Sequence, residues 1–234
     1  MASVLSIGIA VLDYVFQVES MPERAEKYRS QRMATVGGGI AANASVAVAR
    51  QGGKSLLITR LGDDALARTI LDEIAAEGVD VSLSRRFEGK KSPLSCILVD
   101  KRGERMIVSY SDTGISETTE WLPQALPTGV DTVLGDTRWE AGSRYMFDLA
   151  RTTGAFAVLD ADRKPADDGI IGACTHAALS AQACLEITGE NDPAKGVAAL
   201  RKCFSNWLAV TDGENGVFWT DGSRSEERRV GKEC

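Results

Sequence analysis

The order of apolar and polar residues predicts a chain that alternates between strands and helices. The first apolar run, SVLSIGIAVLD, is typical of a buried strand and ends on the polar residue Asp13. Further strands are predicted at SLLITRLG, DTVLGD, FAVLDAD, THAALS and WLAVTDG, and helices at ALARTILDEIAAEG, GSRYMFDLARTTG, AQACLEITG and DPAKGVAALRKCF. Repeated strand–helix–strand units predict an α/β fold, a doubly wound and mostly parallel sheet with helices on both faces.

Two segments depart from the alternation of strands and helices, because apolar and polar residues alternate within them. YVFQV and KYRSQRMATV are typical of half-exposed antiparallel strands, and SCILVDKRGERMIVSY is typical of a hairpin around DKRG. Such strands do not fit inside a parallel sheet. We therefore expect residues from about 14–36 and 91–110 to form a small β-rich lid at one edge.

Three glycines precede the first long helix, in the stretch TVGGGIAANASVAVARQGG at residues 35–53. Glycine is the poorest ordinary helix former, so the run is costly unless the backbone bends sharply or approaches something closely. One interpretation is a tight strand-to-helix turn. The other is that the glycines bare the amide groups of the helix N-terminus to a polar ligand.

Polar residues recur at the predicted carboxyl ends of the strands, where ligands bind in open α/β sheets. Any one of them taken alone is more often a turn former or a helix cap. Their repetition at the same geometric place favours a site. These residues are Asp13, Asn43, Asp136, Arg138, Asp160, Asp162 and Ser180.

Composition narrows the classes of function. The net charge of -6 does not indicate the basic surface that is typical of nucleic-acid-binding proteins. No apolar run approaches the length of a membrane span, and the five scattered cysteines suggest neither a disulfide framework nor a zinc site. We expect a cytoplasmic protein. His176 is the only histidine and is expected to be structural, so a carboxylate is favoured for any acid–base chemistry.

The last residues, SRSEERRVGKEC, are mostly charged and lack apolar periodicity. A disordered terminus is one interpretation of this tail. The other is that residues 1–222 form the α/β domain and that residues 223–234 are foreign or frame-shifted sequence. Sequencing the source DNA through the junction distinguishes the two.

In order and spacing, these elements resemble the ribokinase-like (PfkB-type) carbohydrate kinases. The resemblance covers nearly all of residues 1–222 and includes Asp13, GGIAAN at residues 38–43, GDD at residues 62–64 and VTDGENG at residues 210–216. Within that family the chain looks most like the sulfofructose kinase branch. The counterparts there are VGGG, GERMIVSY, DTRW and LDAD.

The resemblance implies a kinase that moves a phosphoryl group from ATP, with Mg²⁺, to a sugar hydroxymethyl group. It places four residues on the sugar hydroxyls, namely Asp13, Gly38, Gly39 and Asn43, and three along the nucleotide, namely Thr211, Gly213 and Gly216. Asp162 would lie near the phosphates and the metal, while Lys27 and Arg138 would receive an anionic sugar group. For both cations, ordinary surface charge is the alternative. The lid would close over the sugar and is also a candidate homodimer contact.

Three departures from the family pattern change these expectations. The usual N-x-x-E falls on Ser180 and Ala183, and Ser109 stands where the branch has an asparagine. The G-A-G-D element, which carries the catalytic aspartate, does not occur in the sequence. We therefore expect no catalytic residue among residues 1–234 and no ATP turnover by this polypeptide. A nucleoside kinase and a non-catalytic sugar-binding or regulatory module remain the alternatives.

Overall fold

The computed structural model describes residues 2–220 and the backbone of residues 225–228. The chain divides into two compact units, one made of Met1–Gly8 with Glu117–Cys234 and the other of Ile9–Ser116. Parallel strands with intervening helices, together with a separate small β-sheet, confirm the predicted fold class.

In chain order the strands are β1 (Ser3–Gly8), β2 (Val11–Gln17), β3 (Arg32–Gly38), β4 (Lys54–Gly62), β5 (Arg85–Phe87), β6 (Leu94–Val99), β7 (Arg105–Tyr110), β8 (Thr132–Asp136), β9 (Phe156–Ala161), β10 (His176–Ser180), β11 (Trp207–Thr211), β12 (Val217–Thr220) and β13 (Ser225–Arg228). The helices are α1 (Ile40–Arg50), α2 (Ala65–Ala76), α3 (Glu140–Thr153), α4 (Gly169–Ala173), α5 (Ala181–Thr188) and α6 (Pro193–Cys203). A 3-10 turn covers Gly213–Asn215.

In the unit that contains the carboxyl-terminal half, the strands form a sheet in the order β13-β12-β11-β10-β9-β8-β1. Its strands are parallel except β12 and β13, which continue the sheet antiparallel. Alternate residues such as Leu159 and Ala177 are buried, whereas Phe156 on the other face of β9 is 57% exposed. One face of the sheet therefore carries the core of this unit.

Local chemistry explains where the helices of this unit begin and end. Asp192 caps α6 by accepting from the Ala194 amide at 2.9 Å, and Pro193 occupies the first turn. Gly154 and Gly189 end α3 and α5 in the left-handed conformation that glycine adopts at no steric cost.

The unit Ile9–Ser116 combines the pair β4–β5 and helices α1 and α2 with a four-stranded sheet in the order β3-β2-β6-β7. The central β2 and β6 are parallel, and the outer strands pair antiparallel with them. We call this four-stranded sheet the lid sheet. Its Leu12 packs in one core with Ala41 of α1, Leu57 of β4 and Ile70 of α2. The core thus ties the lid sheet to the start of α1.

The expectation that Asp13 directly follows the first strand is wrong. β1 already ends at Gly8, and Asp13 is the third residue of β2. The continuous apolar run conceals the break, because Ile9 and Ala10 belong to neither strand although Ala10 is fully buried. Apolar periodicity also misses the short elements β5 and α4.

Most of the charged tail, residues 223–234, lies outside the described residues. Within it, the backbone of Ser225–Arg228 pairs antiparallel with β12. None of the helices among residues 2–220 has the length and hydropathy needed to span a bilayer.

Candidate functional site

Helix α1 begins without a side-chain cap. Its N-cap residue is Gly39, at φ 98° and ψ 140°, and no side chain accepts a hydrogen bond from the first turn. The Asn43 amide donates to the Gly39 carbonyl at 2.9 Å. Among the described residues, the amides of Ile40 and Ala41 have no acceptor. Two N–H groups at the positive end of the helix dipole therefore have no protein partner there; Ile40 is half-buried and can be approached by a ligand, whereas Ala41 lies buried behind it.

The three glycines at residues 37–39 have different structural reasons. A Cβ on Gly39 would lie 2.4 Å from the Ile9 carbonyl oxygen, and a Cβ on Gly38 would lie 2.5 Å from Asp13 Oδ2. A Cβ on Gly37 would meet nothing within 4 Å. Gly39 is thus required by the turn, whereas Gly38 leaves room for the Asp13 carboxylate, which lies against it. The structure brings Asp13, Gly38 and the start of α1 together.

Asp13 belongs to a polar row that crosses the lid sheet. It is in register with Ser95 of β6, and Ser95 is in register with Ser109 of β7. The Ser95 and Ser109 hydroxyls are 3.3 Å apart. Registered residues on neighbouring strands point to the same face of a sheet. Sequence reasoning missed Ser95, because only the pairing of β2 with β6 aligns it with Asp13.

A cavity of about 620 Å³ lies beside this glycine turn. Gly37, Gly38 and Asn43 line it at the N-terminal end of α1, and Arg50 and Glu77 line it at the C-terminal ends of α1 and α2. Exposed and half-buried backbone at this turn can hydrogen bond to hydroxyl groups, and the side-chain amide of Asn43 can both donate and accept.

The GDD motif holds the start of α2. Asp64 Oδ1 accepts from the Ala67 amide at 2.9 Å and from the Ser92 hydroxyl at 2.8 Å, and its Oδ2 accepts from the Ser92 amide at 2.9 Å. Burial raises the pKa of Asp64, but these hydrogen bonds outweigh it and hold the pKa below the ordinary aspartate value. This carboxylate is fully engaged in structure.

In the other unit, charged side chains meet at the carboxyl ends of β8 and β9. Arg138 Nη2 forms an ion pair with Asp162 Oδ2, and Asp162 Oδ1 accepts from the Thr137 hydroxyl at 2.8 Å. The Arg138 amide donates to the fully buried Asp136 at 2.8 Å. Arg138 was predicted to contact an anionic sugar group and Asp162 to lie near the phosphates and the metal. The two side chains instead pair with each other.

Asp160 lies next to this pair on β9. Burial raises its pKa above the ordinary aspartate value, and the negative charge of Asp162 raises it further. Ser180 has a structural role, because its hydroxyl accepts from the Ala183 amide at 3.0 Å and thereby caps α5. That hydroxyl also donates to the Asp162 carbonyl at 3.0 Å, which fixes the backbone beside the ion pair.

The predicted nucleotide residues lie at the turn between β11 and β12. Gly213 and Gly216 have φ values of 50° and 99°, and the Asp212 amide donates to the Gly216 carbonyl at 2.9 Å. Thr211 is the exposed last residue of β11. The two glycines therefore shape a tight turn, in which Gly213 is exposed and Gly216 is buried.

Lys27 is exposed in the connection between β2 and β3 and forms no ion pair within residues 2–220. The described part of the chain contains no group of three or more histidine, cysteine, aspartate or glutamate side chains arranged to hold a metal ion. Mg²⁺ in phosphoryl-transfer sites is usually held by one or two carboxylates plus substrate phosphates. A single carboxylate such as Asp162 is therefore compatible with that role.

Comparison with known proteins gives the family. The family model of the pfkB family carbohydrate kinases matches residues 1–231. A ribokinase of Haemophilus influenzae is 30% identical over 105 residues, 45% of this chain, and the match spans 34% of that relative's length. A crystal structure from Agrobacterium tumefaciens, provisionally assigned as a ribokinase, has a TM-score of 0.92 and 31% identity and covers 99% of this chain and 78% of that one.

A ribokinase of Arabidopsis thaliana, solved with ribose and ATP, has a TM-score of 0.79 at 17% identity. That match covers 98% of this chain and 78% of the other, and at this identity it shows a shared fold alone. The family match rests on the sequence of nearly the whole chain. The chain belongs to the pfkB family of carbohydrate kinases.

Proposed function

We propose that the protein is an ATP-dependent kinase of a sugar hydroxymethyl group, and that the uncapped start of α1 beside Asp13 binds the sugar. The observation that supports this most is the contact between Gly38 and the Asp13 carboxylate, next to two amides without an acceptor among the described residues. Carboxylate oxygens accept from sugar hydroxyls, and backbone amides donate to them. The Arabidopsis ribokinase was solved with a sugar of this type.

The residues of the proposed sugar site have different roles in binding. Asp13 accepts from two hydroxyls, Asn43 donates and accepts, and the backbone at Gly38 and Gly39 lets the ring approach closely. Ser95 and Ser109 extend the polar row and orient the far side of the ring. A sugar enclosed by the lid sheet is shielded from water, which protects a phosphoryl donor from hydrolysis.

ATP with Mg²⁺ supplies the phosphoryl group and the neutralising cation. For this chain we propose that the turn with Thr211, Gly213 and Gly216 lies along the nucleotide and that Asp162 faces the phosphates and the metal. The ion pair with Arg138 orients the Asp162 carboxylate. The single-carboxylate donor set fits a metal that takes most of its ligands from phosphates and water.

An anionic ketohexose such as sulfofructose is the proposed substrate. Lys27 and Arg138 are the cations assigned to its acidic group, because a guanidinium offers five donors in a planar fork and the ion pair with Asp162 uses only part of that capacity. Ser109, in place of the asparagine of that branch, now lies in hydrogen-bonding range of Ser95. The serine pair therefore replaces a longer amide at that position.

A second copy of the chain is the proposed partner of the lid sheet. β7 is an edge strand, and its Met106, Ile107, Val108 and Tyr110 are between 41% and 66% exposed. A long apolar edge left open promotes pairing with another chain, so covering it in a homodimer removes that hazard. We propose the cytoplasm as the site of action, since the four described cysteines are free thiols.

For the 234-residue polypeptide itself we propose sugar binding without ATP turnover. Its sequence has no G-A-G-D motif, which carries the general base of the family the chain resembles. In phosphoryl transfer a carboxylate takes the proton from the attacking hydroxyl. We assign this role of general base to no residue of the chain.

A ligand panel tests the binding proposal. Thermal shifts are measured with D-ribose, D-fructose, sulfofructose and adenosine, for the wild type and for Arg138→Leu. Stabilisation by sulfofructose that is weakened in Arg138→Leu supports the anionic sugar. Stabilisation by adenosine alone favours the nucleoside kinase, and no response to any ligand contradicts the proposal. Sugar-dependent ADP release would overturn the claim of inactivity.

A further inference from the structure

The cavity between α1 and α2 extends well beyond the proposed sugar contacts. Gly37, Gly38 and Asn43 line one end, and Arg50 and Glu77 line the other. Asn43 and Arg50 are seven residues apart on one helix, which corresponds to about 10 Å. A volume of about 620 Å³ lies in the range of pockets that hold drug-sized ligands rather than small fragments.

The walls along this length are mostly aliphatic, although the exposed Glu73 of α2 also lines the cavity. Val46 of α1 lines it together with Ile70 and Ile74 of α2, and Val36 contributes from β3. Ile70 and Ile74 belong to the hydrophobic core and are only 2% and 6% exposed, so this wall is fixed by packing. Val36, in contrast, is 48% exposed at the glycine end. An apolar ligand would gain by covering it.

The far end of the cavity is closed by charge. Arg50 Nε and Nη2 donate to the two carboxylate oxygens of Glu77 at 2.7 and 2.6 Å, which links the ends of α1 and α2. These two charges satisfy each other, whereas Glu73 lines the cavity and forms no ion pair within residues 2–220. An anionic group moved into the aliphatic section would therefore lose its hydration and meet the negative charge of Glu73.

We propose that this groove receives an apolar substituent on the sugar, so that the acceptor class includes glycosides with an apolar aglycone. This inference rests on the proposed function, because Gly38 and Asn43 belong both to the sugar contacts and to the cavity lining. A ring held at these two residues places an outward substituent along Val46, Ile70 and Ile74.

Matched glycosides test the proposal. The dissociation constants of methyl and n-octyl β-D-ribofuranoside, and of the corresponding fructofuranosides, are measured by titration calorimetry below the critical micelle concentration. Within each pair only the aglycone differs. We expect the octyl glycoside to bind at least tenfold more tightly than its methyl partner.

Two tryptophan variants locate the effect. Ala47→Trp fills the groove from an exposed position on α1 that lines it, and Ala75→Trp places the same side chain on an exposed position of α2 that does not. Thermal melts confirm that both variants are folded. The octyl advantage is expected to disappear in Ala47→Trp and to persist in Ala75→Trp.

The possible results separate this inference from the proposed function. Equal affinity for methyl and octyl glycosides overturns the groove proposal and leaves the sugar site standing. An octyl advantage that survives in Ala47→Trp overturns it as well, because the chain then binds elsewhere. Failure of every methyl glycoside to bind overturns the sugar site and, with it, this extension.

Discussion

Helices α1 and α2 both begin after a strand in the same unit, but their first turns are satisfied in different ways. At α2, Asp64 accepts from the Ala67 amide and is itself held by the amide and hydroxyl of Ser92. At α1, Gly39 supplies no side chain, and the amides of Ile40 and Ala41 have no acceptor among the described residues. One helix start is closed by protein groups, and the other is left for a ligand.

This difference shows how to distinguish a structural motif from a binding motif. Both starts match family motifs, GGIAAN for α1 and GDD for α2. A carboxylate with three donors already on it has little capacity for a sugar, whereas Asp13 lies against a glycine and beside the open helix start. The aspartate at the start of α2 therefore stabilises the fold, and we propose that Asp13 of the lid sheet binds the sugar.

The largest expected effect comes from Gly39→Ala. Its φ of 98° is a conformation that L side chains rarely adopt, and the new Cβ would lie 2.4 Å from the Ile9 carbonyl. We expect a loss of about 3 kcal/mol in the free energy of unfolding, measured by urea denaturation. Gly37→Ala is the matched control and should change it by less than about 0.5 kcal/mol. Equal losses in both would contradict the assignment of the turn to Gly39.

Removal of the α2 cap gives the next effect. Asp64→Ala should cost about 1–2 kcal/mol at neutral pH, because three hydrogen bonds to the carboxylate are lost. The pKa of Asp64 is lowered in the folded protein, so the stabilisation is complete above the ordinary aspartate pKa. It is lost as the pH falls through the lower folded pKa.

Denaturation curves of the wild type and Asp64→Ala at several pH values check this sign. The difference between their free energies of unfolding should be constant near neutrality and shrink in acid. A difference that grows on acidification would mean that the carboxylate is not the stabilising form.

Gly38→Ala tests the start of α1, which has no side-chain cap. The atoms nearest to the new methyl group would belong to the end of the Asp13 side chain and to Val11 Cγ1, and because the carboxylate can turn away we expect a stability cost below about 1 kcal/mol. Sugar affinity should fall at least tenfold, as measured by calorimetry. Asp64→Asn, which changes the other helix start, is the control and should leave the affinity unchanged. Unaltered sugar binding by Gly38→Ala would exclude Asp13 from the site.

A smaller effect is expected at Asp160, whose pKa is raised. The folded protein then binds the proton more tightly than the unfolded chain, so this carboxylate lowers stability above its folded pKa. Asp160→Asn should raise the free energy of unfolding at neutral pH by less than about 1 kcal/mol and give no gain in acid. Loss of stability at neutral pH would show that Asp160 is paired in its ionised form.

The sequence predicts those features that depend on local order. The glycine turn, α2 and the alternating strands of the lid sheet all follow from spacing and composition, because short-range periodicity decides them. The position of Asp13 relative to β1 does not, since an unbroken apolar run gives no sign that the strand ends at Gly8. β5, with three residues, is too short to produce a pattern.

The contacts that shape the candidate site depend on tertiary pairing. Ser95 aligns with Asp13 only through the parallel pairing of β2 with β6, which are far apart in the sequence. Arg138 and Asp162 were expected on different ligand groups, and their ion pair results from the adjacency of β8 and β9. The cavity depends on the gap between two helices, which no periodicity reports.

The most direct test of the central claim follows single backbone amides while sugar is added. In ¹H–¹⁵N correlation spectra, D-fructose or sulfofructose is expected to shift the Ile40 and Ala41 amide signals, while the Ala67 amide, already bound to Asp64, keeps its position. Sugar binding that leaves Ile40 and Ala41 unshifted, or that shifts Ala67 equally, would contradict it.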